Sequence, residues 1–124
     1  TAALERASAF IEDGADITFV EAPLSIEEMC KIPVALNGTP QLVNLVVGGK
    51  TPILALDALG EMGFSLVLYA NVALQAAIHG MQIALGQLKK TGKMDEDGPL
   101  ASFLERQRVV RKDHFDKLEQ RYAF

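Results

Sequence analysis

The chain is poor in three things, and each absence narrows the reading. It carries a single cysteine, Cys30, which excludes an internal disulfide and fits a reducing cytoplasm. It has no run of about 18 uninterrupted apolar residues, so a membrane-spanning helix is not expected. It also lacks a basic excess. Twelve Lys and Arg stand against 16 Asp and Glu, for a net charge of −4 and a pI near 5.1. That balance gives no electrostatic reason to expect nucleic acid or an anionic membrane as partner. What is present is apolar bulk: 49% of the 124 residues are hydrophobic, enough for one folded domain with a core. The chain opens Thr1-Ala2-Ala3, without Met and helix-like from the outset rather than as a signal peptide. The N-terminus of the whole protein is therefore expected elsewhere.

The most informative stretch is Leu42-Val43-Asn44-Leu45-Val46-Val47-Gly48-Gly49-Lys50-Thr51-Pro52. It reads as a buried strand interrupted only by Asn44, followed by a glycine turn. Thr51 suits a helix N-cap and Pro52 a first helical position, which would make the turn a place to hold an anion. Before this stretch, residues 2–13 read as a helix stopped by Gly14, and residues 17–20 as a short strand with Glu21 at its C-terminal end. Ser25 and Glu28 form a capping box for a helix that Pro33 should kink or end, with Val34–Leu36 open between a further helical turn, the favoured reading, and a short extended piece. After it, residues 52–61 read as a helix stopped by Gly63, and residues 64–69 as a third strand. Residues 72–90 then form the longest helix, with Lys89 and Lys90 in its last turn. A polar loop at 93–99 leads to two charged helices at 102–110 and 113–122. Each gap between strands holds a helix, so the strands should be parallel. Three such strands fit either an open doubly wound sheet or part of a barrel, and leave both sheet edges unpaired.

Several chemical readings fail on spacing. A phosphate-binding loop would need its first glycine at position 43 or 44, where Val43 and Asn44 stand. His79 has no second ligand three or four residues on, so a packing or surface histidine is the better account than a metal ligand. His114 sits in a charged helix, and the Arg106, Arg108, Arg111, Lys112 cluster alternates with acids and apolar residues, as a solvated or subunit-facing helix would. Gly80 and Gly86 suit close helix packing. Two residues stay open between a structural and a binding role. Glu21 is either a solvated or salt-bridged strand-end carboxylate or a pocket residue. Asn44 is either a structural amide or a ligand-binding one.

Three blocks taken together, Gly14 to Pro23, Val43 to Pro52 and Gly63 to Tyr69, resemble the isocitrate lyase and phosphoenolpyruvate mutase superfamily. The nearest likeness is to the branch of methylisocitrate lyases, oxaloacetate decarboxylases and carboxyphosphonoenolpyruvate mutases. It extends through the tail, from Phe103-Leu104-Glu105-Arg106-Gln107 to Gln120-Arg121-Tyr122. The resemblance implies an α/β fold: the C-terminal portion, about strands six to eight plus C-terminal helices, of a (β/α)8 TIM-type barrel. Residues 1–92 would be a partial barrel of three βα units with a preceding helix, and residues 93–124 a helical tail contacting a neighbouring subunit of a homotetramer. It further implies Mg²⁺ and a small 2-oxo or 2-hydroxy carboxylic acid, with C–C bond cleavage through an enolate-type intermediate, or P–C chemistry in other members. The metal ligands and the mobile Lys-Lys-Cys-Gly-His loop belong to earlier strands of the family, so no catalytic or metal residue is expected in this segment. Cys30 does not match the family's catalytic cysteine.

By the same resemblance Glu21 faces the substrate pocket and Asn44 binds a substrate carboxylate, while Lys50 and Thr51 are structural or peripheral. Val47 stands where the family usually has a glutamate, and Ala70 where a proline commonly follows the aromatic residue. Both departures bear on the substrate more than on the fold. The alternatives are an inactive relative, motivated by Val47 and Ala70, or a non-catalytic α/β oligomerisation or binding module. The segment alone is expected to be inert.

Overall fold

The computed structural model describes residues 2–95 and 98–123. The chain divides into two compact units, Thr1–Leu74 and Gln75–Phe124.

In the first unit, helix α1 (Ala2–Glu12) leads to strand β1 (Thr18–Phe19), helix α2 (Ile26–Ala35), strand β2 (Gln41–Leu45), helix α3 (Leu56–Glu61) and strand β3 (Leu66–Tyr69). The strands form one parallel sheet in the order β1-β2-β3. Alternation along β2 separates two faces. Gln41, Val43 and Leu45 are buried, whereas Leu42 and Asn44 are only half-buried. The buried side meets the helices: Ala7 of α1, Met29 and Ile32 of α2 and Leu59 of α3 pack with Val43, Leu45 and Phe64 into one core. Burying each large side chain there contributes on the order of 2 kcal/mol. The other face of the sheet is apolar but open, with Phe19 45%, Leu66 41% and Leu68 50% exposed. A face of that composition ordinarily packs against another layer.

Polar groups fasten the covered face. The Thr18 hydroxyl donates to Gln41 Oε1 at 2.6 Å, and Gln41 Nε2 donates to the Thr39 carbonyl at 2.9 Å. This clamp lies where β1 and β2 begin to pair, at the Thr18–Gln41 register position. The α2 N-terminus is capped as expected, the Ser25 hydroxyl accepting from the Glu28 N–H at 3.1 Å. Glu28 Oε2 closes the box one residue early, accepting from the Leu24 N–H at 2.6 Å.

Helix α2 runs through Pro33 to Ala35, in keeping with the favoured helical reading of the residues after the proline, whereas two other expectations need correction. Proline removes one backbone donor, and that single loss falls in the last turn of a helix anchored by Met29 and Ile32. The helix expected from Pro52 starts only at Leu56, with Ala55 as an N-cap that makes no side-chain hydrogen bond. Thr51 is buried instead of capping, and Leu54 packs against the core as the intervening residues cross to the helix layer. The strands are also shorter than their apolar runs. In particular Phe64 serves the core before β3 begins, after the Gly63 turn.

In the second unit, helix α4, which starts in the first unit at Val72, continues to Thr91 and places Lys89 and Lys90 in its last turn. Gly92, at φ +71°, ends it, its N–H donating to the Leu88 carbonyl at 2.8 Å. Of the expected loop at 93–99, Glu96 and Asp97 lie outside the described residues. Helix α5 (Phe103–Val109) is capped by the Ser102 hydroxyl, which accepts from the Glu105 N–H. Arg111, at φ +54°, turns the chain into α6 (Lys112–Tyr122). Among the described residues, no helix is long and apolar enough to cross a membrane.

Candidate active site

Because the strands are parallel, their C-terminal ends share one edge of the sheet. Glu21 lies two residues beyond the end of β1, and Asn44 lies in β2 opposite Leu68 of β3. The last β1–β2 pair is Phe19 with Leu42. Continued by two residues, that register would set Glu21 level with Asn44, but β1 ends at Phe19 and Glu21 lies past the paired residues. Asn44 belongs to the open face, two residues after Leu42. Glu21 is exposed and lines a cleft of about 460 Å³ between α1 and β1 together with Arg6, Phe10 and Phe19. It makes no ion pair among the described residues.

Asn44 carries the main anomaly of the sheet. Its Oδ1 is buried and has no hydrogen-bond partner among the described residues. A buried acceptor left unpaired costs on the order of 1–3 kcal/mol, so the partner is expected outside these residues. Rotating the carboxamide by 180° would present the amide N–H₂ instead, so the group can meet either a donor or a carboxylate.

The backbone at this edge is shaped by left-handed residues. Ala22 follows β1 at φ +49°, Gly48 follows β2 at +82° and Asn71 follows β3 at +66°. The Gly49 N–H donates to the Val46 carbonyl at 2.8 Å, closing a four-residue turn with Gly48 in its third position. That placement matches the positive-φ position of a type II turn. A Cβ at Gly49 would stand 2.9 Å from the Val46 carbonyl oxygen, so both glycines serve the turn. No helix starts at Pro52, and the glycine pair makes a tight turn, as the favoured reading of this stretch has it. Val47 is 58% exposed at this mouth and Lys50 is exposed beside it, while Thr51 is buried.

The residues present do not fit a Mg²⁺ centre. Among the described residues no group of three or more His, Cys, Asp or Glu side chains could hold a metal ion, and Glu21 stands without a second carboxylate at the strand ends. Magnesium needs several oxygen ligands in near-octahedral geometry. His79 and Cys30 are both exposed on helices, α4 and α2 respectively, away from any such cluster. The Thr18–Gln41 clamp and the left-handed Ala22 were not singled out by sequence reasoning. Asn71 offered a signal, since Asn tolerates positive φ after a strand.

The family model for phosphoenolpyruvate phosphomutase matches residues 1–89. Among curated proteins, carboxyvinyl-carboxyphosphonate phosphorylmutase of Arabidopsis thaliana is 35% identical over 122 residues, covering 98% of this chain and 36% of that protein. Among solved structures, 2,3-dimethylmalate lyase, described as a member of the PEP mutase/isocitrate lyase superfamily, aligns with a TM-score of 0.84 and 29% identity, over 97% of this chain and 40% of that one. Phosphonopyruvate hydrolase, solved with oxalate and Mg²⁺, shares the fold at a TM-score of 0.76 and 22% identity, over 98% of this chain and 43% of that one. The chain thus spans about two fifths of the length of the proteins it matches.

Proposed function

The chain belongs to the phosphoenolpyruvate phosphomutase family, and from that premise we propose that it forms the C-terminal portion, about strands six to eight with the C-terminal helices, of a (β/α)8 barrel enzyme. The enzyme is a lyase or mutase acting on small 2-oxo or 2-hydroxy carboxylic acids, with C–C bond cleavage as its reaction. The observation that supports the reading is the Asn44 oxygen, without a hydrogen-bond partner among the described residues, in the middle one of three parallel strands. Barrel enzymes place their chemistry at the C-terminal edge of such strands.

The one-sided cover of the sheet supports the barrel over the doubly wound alternative. Helices α1, α2 and α3 all contribute to the core on one face, and the opposite face stays apolar and open. A doubly wound sheet is covered on both faces, whereas a barrel strand turns one face to a shared interior. In this reading Asn44 hydrogen-bonds a substrate carboxylate and Glu21 faces the pocket. The catalytic groups and the ligands of Mg²⁺ come from outside this segment. Residues 1–92 supply the barrel portion and residues 93–124 the tail. The tail contributes to a homotetramer, supported by exposed Phe103, Leu104 and Phe115 in the second unit. A cytoplasmic location goes with this metabolic role.

The test is turnover of small 2-oxo and 2-hydroxy acids by the protein with and without the sequence upstream of Thr1. Activity should require the upstream part. There, Asn44→Ala should raise KM about tenfold or more by removing a hydrogen bond to a charged group. Turnover by the 124 residues alone, or an Asn44→Ala enzyme with unchanged KM and kcat, would overturn the reading.

A further inference from the structure

The groove between α5 and α6 differs in character from the rest of an acidic chain. Arg108, Arg111, His114 and Lys117 recur at every third position, and all four line one groove of about 450 Å³. In an uninterrupted α-helix, third positions rotate by about 60° per step and would spread these groups over half the circumference. The left-handed Arg111, at φ +54°, breaks the helix between them and folds α6 back. Two of these cations have no carboxylate partner among the described residues. Arg108 is held by Glu105 through two hydrogen bonds of 2.8 and 2.6 Å. Arg111 and Lys117 take part in no ion pair among the described residues. Gln107, half-buried, adds an amide to the lining, and His114 adds an imidazole. Asp113 is the opposing charge within the same lining.

We propose that this groove binds a small oxyanion carrying two or more negative charges, with Arg111 and Lys117 as its charged ligands and Gln107 and His114 as further donors. A guanidinium and an ammonium, with no ion pair among the described residues and lining one concave site, match a phosphate or a polycarboxylate. A monovalent anion would gain little against Asp113. The proposal rests on residues of the second unit alone and does not depend on the activity proposed above.

Inorganic phosphate and citrate, each titrated into the protein at constant ionic strength, test this by calorimetry together with the His114 imidazole NMR signals. Saturable binding of one anion per chain is expected, with shifts at His114. Saturation by phosphate alone assigns a phosphate ligand, by citrate alone a polycarboxylate, and by both the shared oxyanion chemistry. Arg111→Gln and Lys117→Gln should each weaken binding about fivefold or more, and Asp113→Asn should tighten it. Lys89→Gln should leave it unchanged. Arg111→Gly keeps the left-handed conformation without strain while removing the charge, so its loss of binding cannot be assigned to misfolding. No saturation by either anion up to about 50 mM, or wild-type affinity in Arg111→Gly and Lys117→Gln, would overturn the proposal.

Discussion

The Thr18–Gln41 clamp offers the sharpest test of how this sheet is held. Thr18 is 5% exposed and Gln41 1%, and their 2.6 Å hydrogen bond joins β1 to β2 at the first register position. Thr18→Val keeps the shape but removes the donor and leaves Gln41 Oε1 buried without it. An orphaned buried acceptor costs on the order of 1–3 kcal/mol, well above the net worth of a typical hydrogen bond. With a urea m-value of about 1–3 kcal/mol/M, the midpoint should fall by roughly 1 M. Gln41→Leu orphans the Thr18 hydroxyl and the Thr39 carbonyl together, offset in part by the added apolar burial. The double variant removes donor and acceptor at once, so its loss should be smaller than the sum of the two by about 1–2 kcal/mol. Urea denaturation of the four proteins measures all three differences. A Thr18→Val midpoint within error of the parent, or strictly additive losses, would refute the clamp. Under the function proposed above, the stake is functional as well. A one-residue slip between β1 and β2 would turn Glu21 away from the face that bears Asn44.

Other outcomes follow from single features. In the 124-residue chain, Asn44→Leu should stabilise by about 1–2 kcal/mol by removing the unpaired buried oxygen, read as a rise in urea midpoint; destabilisation would mean that the amide has a partner within the chain. Gly63→Ala should destabilise by about 2 kcal/mol or more in thermal unfolding, since Gly63 sits at φ +102° and its Cβ would stand 2.9 Å from Pro33 Cβ. Ala22→Gly should be neutral or stabilising by up to about 1 kcal/mol, and Ala22→Val clearly destabilising, because only the former relieves the positive φ. Lys31, through its hydrogen bond and charge, holds the Glu27 carboxyl below the usual range, and Glu27 raises Lys31 in return. The Glu27 contribution to α2 is therefore present above the ordinary glutamate pKa and lost as pH falls through the lowered value. The Lys31 contribution is present below the ordinary lysine pKa and lost as pH rises through the raised one. Lys31→Gln should remove that slope from the acid limb of a pH–stability curve, weakly, as both groups are exposed.

The order of helices and parallel strands was legible because apolar runs of strand length alternate with amphipathic stretches, and glycines stop the helices. Boundaries were less so. Thr51-Pro52 carries every local mark of a helix start, yet the path from sheet to helix layer buries Thr51 and uses Leu54 for the core before α3 can begin. Pro33 carries the mark of a kink or stop, and the favoured reading of a continued helix holds because Met29 and Ile32 anchor α2 against one missing donor. Asn44 was legible as an amide in an apolar strand, and the structure turns that oddity into a buried oxygen with no partner among the described residues. The Thr18–Gln41 clamp was not, because a polar residue at a strand start looks like an ordinary boundary until its partner 23 residues away is known.

The two ends of the sheet also differ in how their turns are made. Before each strand, at the N-terminal edge, the chain reverses through a glycine: Gly14, Gly38 and Gly63, at φ +102°, +93° and +102°. Glycine adopts these angles without steric strain, as expected where only a helix stop is needed. After each strand, at the C-terminal edge, the left-handed residues are Ala22, Gly48 and Asn71, so two of the three carry a side chain. Alanine in that conformation is strained by about 1–2 kcal/mol. Stability alone would favour glycine at position 22 as it does at 14, 38 and 63. The strained residue directly follows Glu21, at the edge that also bears Asn44. Under the function proposed above, that strain would aim the Glu21 side chain, and it falls at one end of the sheet only.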